Sequence, residues 1–141
     1  MKRILVFMLL LAGAVLLILG IRQVVKSLAR RKREAVYQAT VLSYTSVLRP
    51  GMTRKEVEDY LRARNLEFGQ MCCVVPNDLQ KHSWDDITKI GQEDPPWYCR
   101  DQTVFVAFQF VDGGQYKSTW GADDRDTLKA VLLYHQFGPC L

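Results

Sequence analysis

Eighteen consecutive residues, Ile4 to Ile21, are apolar or glycine, and none carries a charge. At about 1.5 Å of rise per residue, a helix of that length just crosses the roughly 30 Å hydrocarbon core of a bilayer. A helix satisfies its own backbone donors and acceptors inside lipid, and Val24 and Val25 can extend the span if it tilts. The run is longer than the roughly 7–15 residues of a cleaved secretory core. The nearest small-x-small site, Ser27-Leu28-Ala29, lies beyond the charged Arg22 and Lys26. The expectation is an uncleaved single-pass anchor. No cysteine stands near the end of the run, which argues against a lipid-modified cysteine anchor.

Charge divides the chain. Residues 1–33 hold eight of the 19 Lys and Arg and none of the 15 acids, so the rest is net −4 although the whole is +4. The basic balance therefore belongs to the membrane end. Arg30-Arg31-Lys32-Arg33 reads as a juxtamembrane cluster for anionic lipid headgroups. It has no interleaved aromatics of the kind that stack on nucleobases, so nucleic acid is not expected as a partner.

The charges and the cysteines disagree about topology. Six cations follow the run, whereas Lys2, Arg3 and the terminal amine precede it. Counted literally, this keeps the C-terminal part in the cytoplasm. Four cysteines in about one hundred residues outside the span suggest disulfides and an exported domain. The expectation is an extracytoplasmic domain, with a cytoplasmic membrane adaptor as the alternative.

Three regions are expected: an anchor at 1–25, a basic juxtamembrane helix or stalk at 26–48, and a small domain at 49–141. Residues 22–48 contain no Pro or Gly, and Tyr37, Val41, Tyr44 and Leu48 recur on one helix face. Pro50 ends that helix, because the residue before proline avoids the α region. Pro50-Gly51 is a turn. Thr53 with Glu56 three residues later forms a capping box, and Met52 with Val57 forms a hydrophobic staple. The next helix buries Val57, Tyr60 and Leu61 and presents Lys55, Glu58, Asp59, Arg62 and Arg64 to water. It ends near Asn65, a residue that tolerates a left-handed cap.

The motif Arg49-Pro50-Gly51-Met52-Thr53-x-x-x-Val57, with Tyr60-Leu61 after it, resembles the signature of the small outer-membrane-assembly lipoproteins, the SmpA/OmlA or BamE-like domain. The match covers roughly a dozen residues, Arg49 to Leu61. The resemblance implies two helices packed on a short antiparallel sheet and a structural binding role within an envelope complex. The chain lacks the lipidated cysteine of those lipoproteins.

Downstream, Gly69 to Val75 reads as a short strand closed by the Pro76-Asn77-Asp78 turn. Asp86 to Ile90 suggests a brief strand. Thr103 to Phe110 is the clearest one, with Val104, Val106, Phe108 and Phe110 on one face and Phe105, Ala107 and Gln109 on the other. Asp112-Gly113-Gly114 is a turn, and Tyr116 to Trp120 continues a hairpin. For Asp126 to Tyr134 both helix and strand are open; strand is preferred because Thr103–Phe110 needs a partner. The fold class is thus α+β: an N-terminal transmembrane helix, then two helices on an antiparallel sheet of three to four strands.

Chemistry-bearing residues are sparse. Cys72 or Cys73 with His135 makes a conceivable nucleophile–base pair, but nothing in sequence positions the two. A zinc set from Cys72, Cys73, Cys99, His135 and Cys140 lacks the usual C-x₂₋₄-C spacing. Asp123, Asp124 and Asp126 do not alternate as calcium loops do and read as a solvated turn. Asp85 and Asp86 point apart on a strand, which is wrong for paired acid–base work. Cys72 and Cys73 also point to opposite faces, and a bridge between neighbours is strained. Each is then expected to bond Cys99 or Cys140, if the cysteines bond at all. Trp84, Trp97 and Trp120 are candidate interface anchors. The functional expectation is a membrane-anchored protein-binding domain, not an enzyme, without cofactor, partnered by membrane lipid and another envelope protein. A Cys-dependent enzyme or a zinc-binding domain is the alternative.

Overall fold

The computed structural model describes residues 2–72, 74, 83–113 and 121–141, the side chains of residues 2–12 excepted. The chain forms two compact units, 1–36 and 37–141. Its elements are α1 (Lys2–Thr45), α2 (Arg54–Ala63), β1 (Gly69–Met71), β2 (Asp85–Glu93), β3 (Gln102–Val111) and β4 (Thr127–Phe137).

The described residues of the first unit are helical and contain the apolar run Ile4–Ile21. Among the described residues no helix is long and apolar enough to cross a membrane. Described side chains begin at Gly13 and so include only the second half of the run.

The second unit is α+β. Its four strands form one sheet in the order β1-β2-β3-β4, with every neighbouring pair antiparallel. Tyr37, Tyr44 and Leu48 are buried and Val41 is half-buried, so the stripe read from the sequence is the face α1 applies to the core. The regular helix stops at Thr45, three residues before the expected end. Ser43, Thr45 and Ser46 each donate a side-chain hydroxyl to a carbonyl three residues back, which competes with the helical bonds. Val47 and Leu48 amides both close on Tyr44 O, and this tightened turn still carries Leu48 into the core.

Helix α2 begins and ends as its sequence requires. Gly51 has φ +92°, a conformation open to glycine at little cost. Thr53 Oγ1 accepts from the Glu56 amide, and Glu56 Oε2 accepts from the Thr53 amide at 2.7 Å, completing the capping box. Asn65 takes φ 55°. The Asn65 amide bonds Arg62 O at 2.9 Å and the Leu66 amide bonds Leu61 O at 3.1 Å, the paired closure that satisfies the last carbonyls of a helix. Val57 and Leu61 are fully buried, with Met52 and Tyr60 packed alongside. Glu58 departs from expectation: it is buried rather than presented to water, and it accepts from Arg62 one turn on.

The core lies between the helices and one face of the sheet. Val106, Phe108 and Phe110 of β3 and Leu128 of β4 meet Tyr44, Leu48, Val57 and Leu61. Tyr44 stands edge-on to Phe108, with ring centroids 5.4 Å apart, a favoured aromatic geometry. The Tyr37 ring lies over Gly91: a methyl group placed there would come within 2.5 Å of Tyr37 Oη. The strand alternation of β3 holds, but Ala107 and Gln109 on the opposite face are buried too. β2 is longer than expected, nine residues, with a register shift between Lys89 and Gly91 that leaves Ile90 as the extra residue. Of the segment Asp126 to Tyr134, all but Asp126 is strand, within the 11 residues of β4, Thr127–Phe137. The expected Tyr116–Trp120 hairpin lies outside the described residues.

Cys99 and Cys140 are bonded to each other, which corrects the expectation that each would take Cys72 or Cys73. The pairing follows from the β3–β4 register. Gln102 faces Phe137, and beyond it Gly138 donates to Asp101 O, Arg100 to Pro139 O and Leu141 to Tyr98 O. This extension brings the two cysteines opposite one another as an isolated antiparallel bridge.

Candidate functional site

Three separate stretches of chain converge on Arg54, the first residue of α2. The first turn of a helix exposes amides without helical partners, and here the 123–126 turn supplies them. Arg54 N donates to Asp126 O at 2.7 Å and Lys55 N to Asp124 O at 3.2 Å. The Arg54 side chain runs inward and is only 1% exposed. Its guanidinium pairs with Asp86, donates to Trp84 O and to Ser83 Oγ, and stands 3.6 Å from Asp126 Oδ2. The guanidinium also stacks 4.0 Å from the Phe110 ring centroid, a favourable cation–π arrangement. Ser83 Oγ in turn donates to Asp126 Oδ2 at 2.5 Å, and the Asp123 amide donates to the same oxygen at 2.9 Å. Ser83, Asp86 and Asp126 are completely buried.

Electrostatics in this pocket of charge are set by the loss of water. Burial pushes the Asp86 carboxyl up to about 7, against the downward pull of the Arg54 guanidinium beside it, and Glu58 and Asp85 push the same way as burial. Asp86 Oδ2 has no hydrogen-bond partner among the described residues, so ionisation leaves a charged oxygen without solvation. Arg54 Nε, Trp84 Nε1 and Thr88 Oγ1 are likewise buried without a partner there.

Asp85 points the other way, as adjacent strand residues must. Its carboxylate accepts from the Val74 amide at 3.0 Å and the Phe110 amide at 3.1 Å. The two neighbouring acids are therefore both buried, each with a different structural task. Asp126 corrects the reading of a solvated acidic turn: it is a buried acceptor, whereas Asp124 and Arg125 are exposed. The sequence reading also missed Arg54. Its only signal was a basic residue at the first position of a helix, where a cation is disfavoured by the helix dipole.

The sequence-derived candidates are not brought together. Cys99 and Cys140 sit beyond the ends of β3 and β4, bonded to one another. Cys72 follows β1 and is also disulfide-bonded, and Cys73 lies outside the described residues. The described cysteines are therefore not free thiols for a nucleophile or a zinc set. His135 instead meets Gln102 Nε2 at 3.2 Å. Trp84 is half-buried and contributes its carbonyl to Arg54. Trp97 is 90% exposed and stands edge-on to Tyr98, centroids 5.8 Å apart. Trp120 lies outside the described residues. Compared with known proteins, the chain matches no family model, no curated protein and no solved structure.

Proposed function

We propose that this chain is a membrane-anchored, non-enzymatic protein-binding domain of a cell envelope, held by the apolar run Ile4–Ile21 with its α+β unit on the extracytoplasmic side. The observation that carries the proposal is the uncharged 18-residue run at the head of a continuous helix. The Cys99–Cys140 bond supports the oxidising side of the membrane. The resemblance of Arg49–Val57 to envelope-assembly lipoproteins supports a binding role. Around Arg54 the buried acids are occupied with backbone amides, a hydroxyl and a guanidinium, the arrangement of a structural clasp. Trp97 and Tyr98 offer exposed aromatic surface to another envelope protein.

The test is thiol labelling of intact cells with a membrane-impermeant reagent, before and after reduction, combined with alkaline washing of isolated membranes. The proposal expects the protein to stay with the membrane and to label from outside only after reductant is added. Release by the alkaline wash would remove the anchor. Labelling without reductant, and only once the inner membrane is broken, would establish the second reading, a cytoplasmic adaptor. That reading is favoured by the six cations that follow the run. A photo-crosslinking residue at position 97 then tests binding: a discrete crosslinked species is expected, and its absence in growing cells would remove Trp97 as the contact.

A further inference from the structure

The loop between β2 and β3, residues 94–101, leaves the sheet at the facing pair Glu93 and Gln102. Within it Cys99 N donates to Pro96 O at 2.9 Å, which closes a turn with Trp97 and Tyr98 at its two central positions. Both aromatic side chains are exposed. The turn is tied to the segment that follows β4. Gly138 N donates to Asp101 O at 2.9 Å, Arg100 N to Pro139 O at 3.1 Å and Leu141 N to Tyr98 O at 2.8 Å, and Cys99 is bonded to Cys140. Every residue of 95–101 and 138–141 is exposed or half-buried, so no core side chain secures this contact. Three backbone bonds order four residues of the 138–141 segment, and ordering one residue's backbone costs at least as much as one such bond returns in water. The covalent bond is what makes the contact persist. It is also within reach of a reagent: Cys140 is exposed and Cys99 half-buried, and exposed disulfides are the ones open to thiol exchange.

We propose that Cys99–Cys140 is a redox latch on the Trp97–Tyr98 turn: closed, it holds the two aromatic side chains in one presentation, and opened by a dithiol reductant it releases them while the sheet stays folded. A thiolate of the reductant attacks Cys140 Sγ, and the Cys99 sulfur leaves as a thiolate and takes up a proton. The second thiolate of the reductant then attacks the mixed disulfide and displaces the Cys140 thiolate, which is protonated in turn. The reductant ends as a cyclic disulfide, having given up two electrons and two protons, and the chain ends with two thiols. A disulfide oxidant runs the exchange backwards. On the oxidising side of a membrane the latch is closed, and on the reducing side it is open. Its use as a gate for partner binding rests on the reading of Trp97 and Tyr98 as a contact surface; the latch itself does not.

The test uses the full chain in detergent, labelled with fluorotryptophan, with dithiothreitol as the reductant. The Trp97 fluorine resonance, assigned by its loss in Trp97→Phe, should sharpen and shift on reduction and return on reoxidation with oxidised glutathione. The resonance of the half-buried Trp84 should stay in place. Chymotrypsin supplies a second measurement. Its first cut after Trp97 or Tyr98 should be at least about ten-fold faster on reduction, because cleavage follows the population of the open form. Cys99→Ser/Cys140→Ser should behave as reduced wild type from the start and ignore dithiothreitol, which separates this bond from the one at Cys72. A Trp97 resonance and a cutting rate that reduction leaves unchanged overturn the proposal. So does a Trp84 resonance that moves together with Trp97, in reduced wild type or in the double variant, since the bond is then a staple of the whole domain. A double variant that still responds to reductant overturns it too. Neither readout uses a partner: a failed crosslink at position 97 removes the binding role and leaves the latch standing, whereas an unmoved turn removes the latch alone.

Discussion

Arg54 and Asp86 form an ion pair in which the two side chains are 1% and 0% exposed, 32 residues apart in the chain. The pair joins the first turn of α2 to the start of β2, and Ser83 and Asp126 extend it to the approach of β4. Removing water from two charges costs several kcal/mol each, offset only by close geometry and full hydrogen bonding. The clasp therefore says more about which elements must meet than about net stability.

Arg54→Met leaves the Asp86 and Asp126 carboxyls buried without their cation. The expected loss is about 3–5 kcal/mol in denaturant unfolding. The double variant Arg54→Met/Asp86→Leu should recover part of it, because one stranded acid is gone. A double variant less stable than Arg54→Met would show that Asp86 contributes through some contact other than this pair.

Asp86 gives stability an unusual slope with pH. Its carboxyl is raised from 3.8 to about 7 by burial, so the folded state keeps a proton that the unfolded chain has already released. Stability contributed by Asp86 is full below about pH 4 and falls as pH rises to about 7. Glu56 and Asp59 act in the opposite sense. Hydrogen bonds from Thr53 and Lys55 hold their carboxyls below the ordinary value, so their contribution is lost as pH falls. In thermal melts Asp86→Asn should flatten the slope between pH 4 and 7 and leave the acid limb in place. An unchanged slope would move the titration to another group.

Thr53→Ala removes the hydroxyl that accepts from the Glu56 amide and should cost about 0.5–2 kcal/mol. Gly51→Val should cost more, since φ +92° is strained for a β-branched residue. Circular dichroism monitored against denaturant measures both, and wild-type stability in either variant would contradict the cap or the turn.

The Cys99–Cys140 bond closes a loop with a sequence separation of 41. On the chain-entropy account, replacing both cysteines by serine should cost about 4 kcal/mol. The same loss should appear in wild type when reductant is added, and the reductant should then have less effect on the variant. Equal reductant sensitivity in both would assign the effect to a different bond.

Features decided by neighbouring residues were legible in the sequence. The Pro50-Gly51 turn, the Thr53–Glu56 box, the Asn65 cap and the Tyr37–Val41–Tyr44–Leu48 stripe depend on spacings of one to four residues or on a helical period. The β3 alternation depends on a period of two. Such signals survive in a single sequence because the interacting groups are chain neighbours. Tertiary structure alone decided the features whose partners are far apart. Arg54 reads as an ordinary surface cation until Asp86 and Asp126 are folded against it, and Glu58 and Asp126 read as solvated until a sheet is packed over them. Strand rather than helix for Thr127–Phe137, and Cys140 rather than Cys72 for Cys99, come from the β3–β4 register. Burial and register are properties of the assembled sheet, in which residues tens of positions apart exclude water together, and no local pattern encodes which of them will do so.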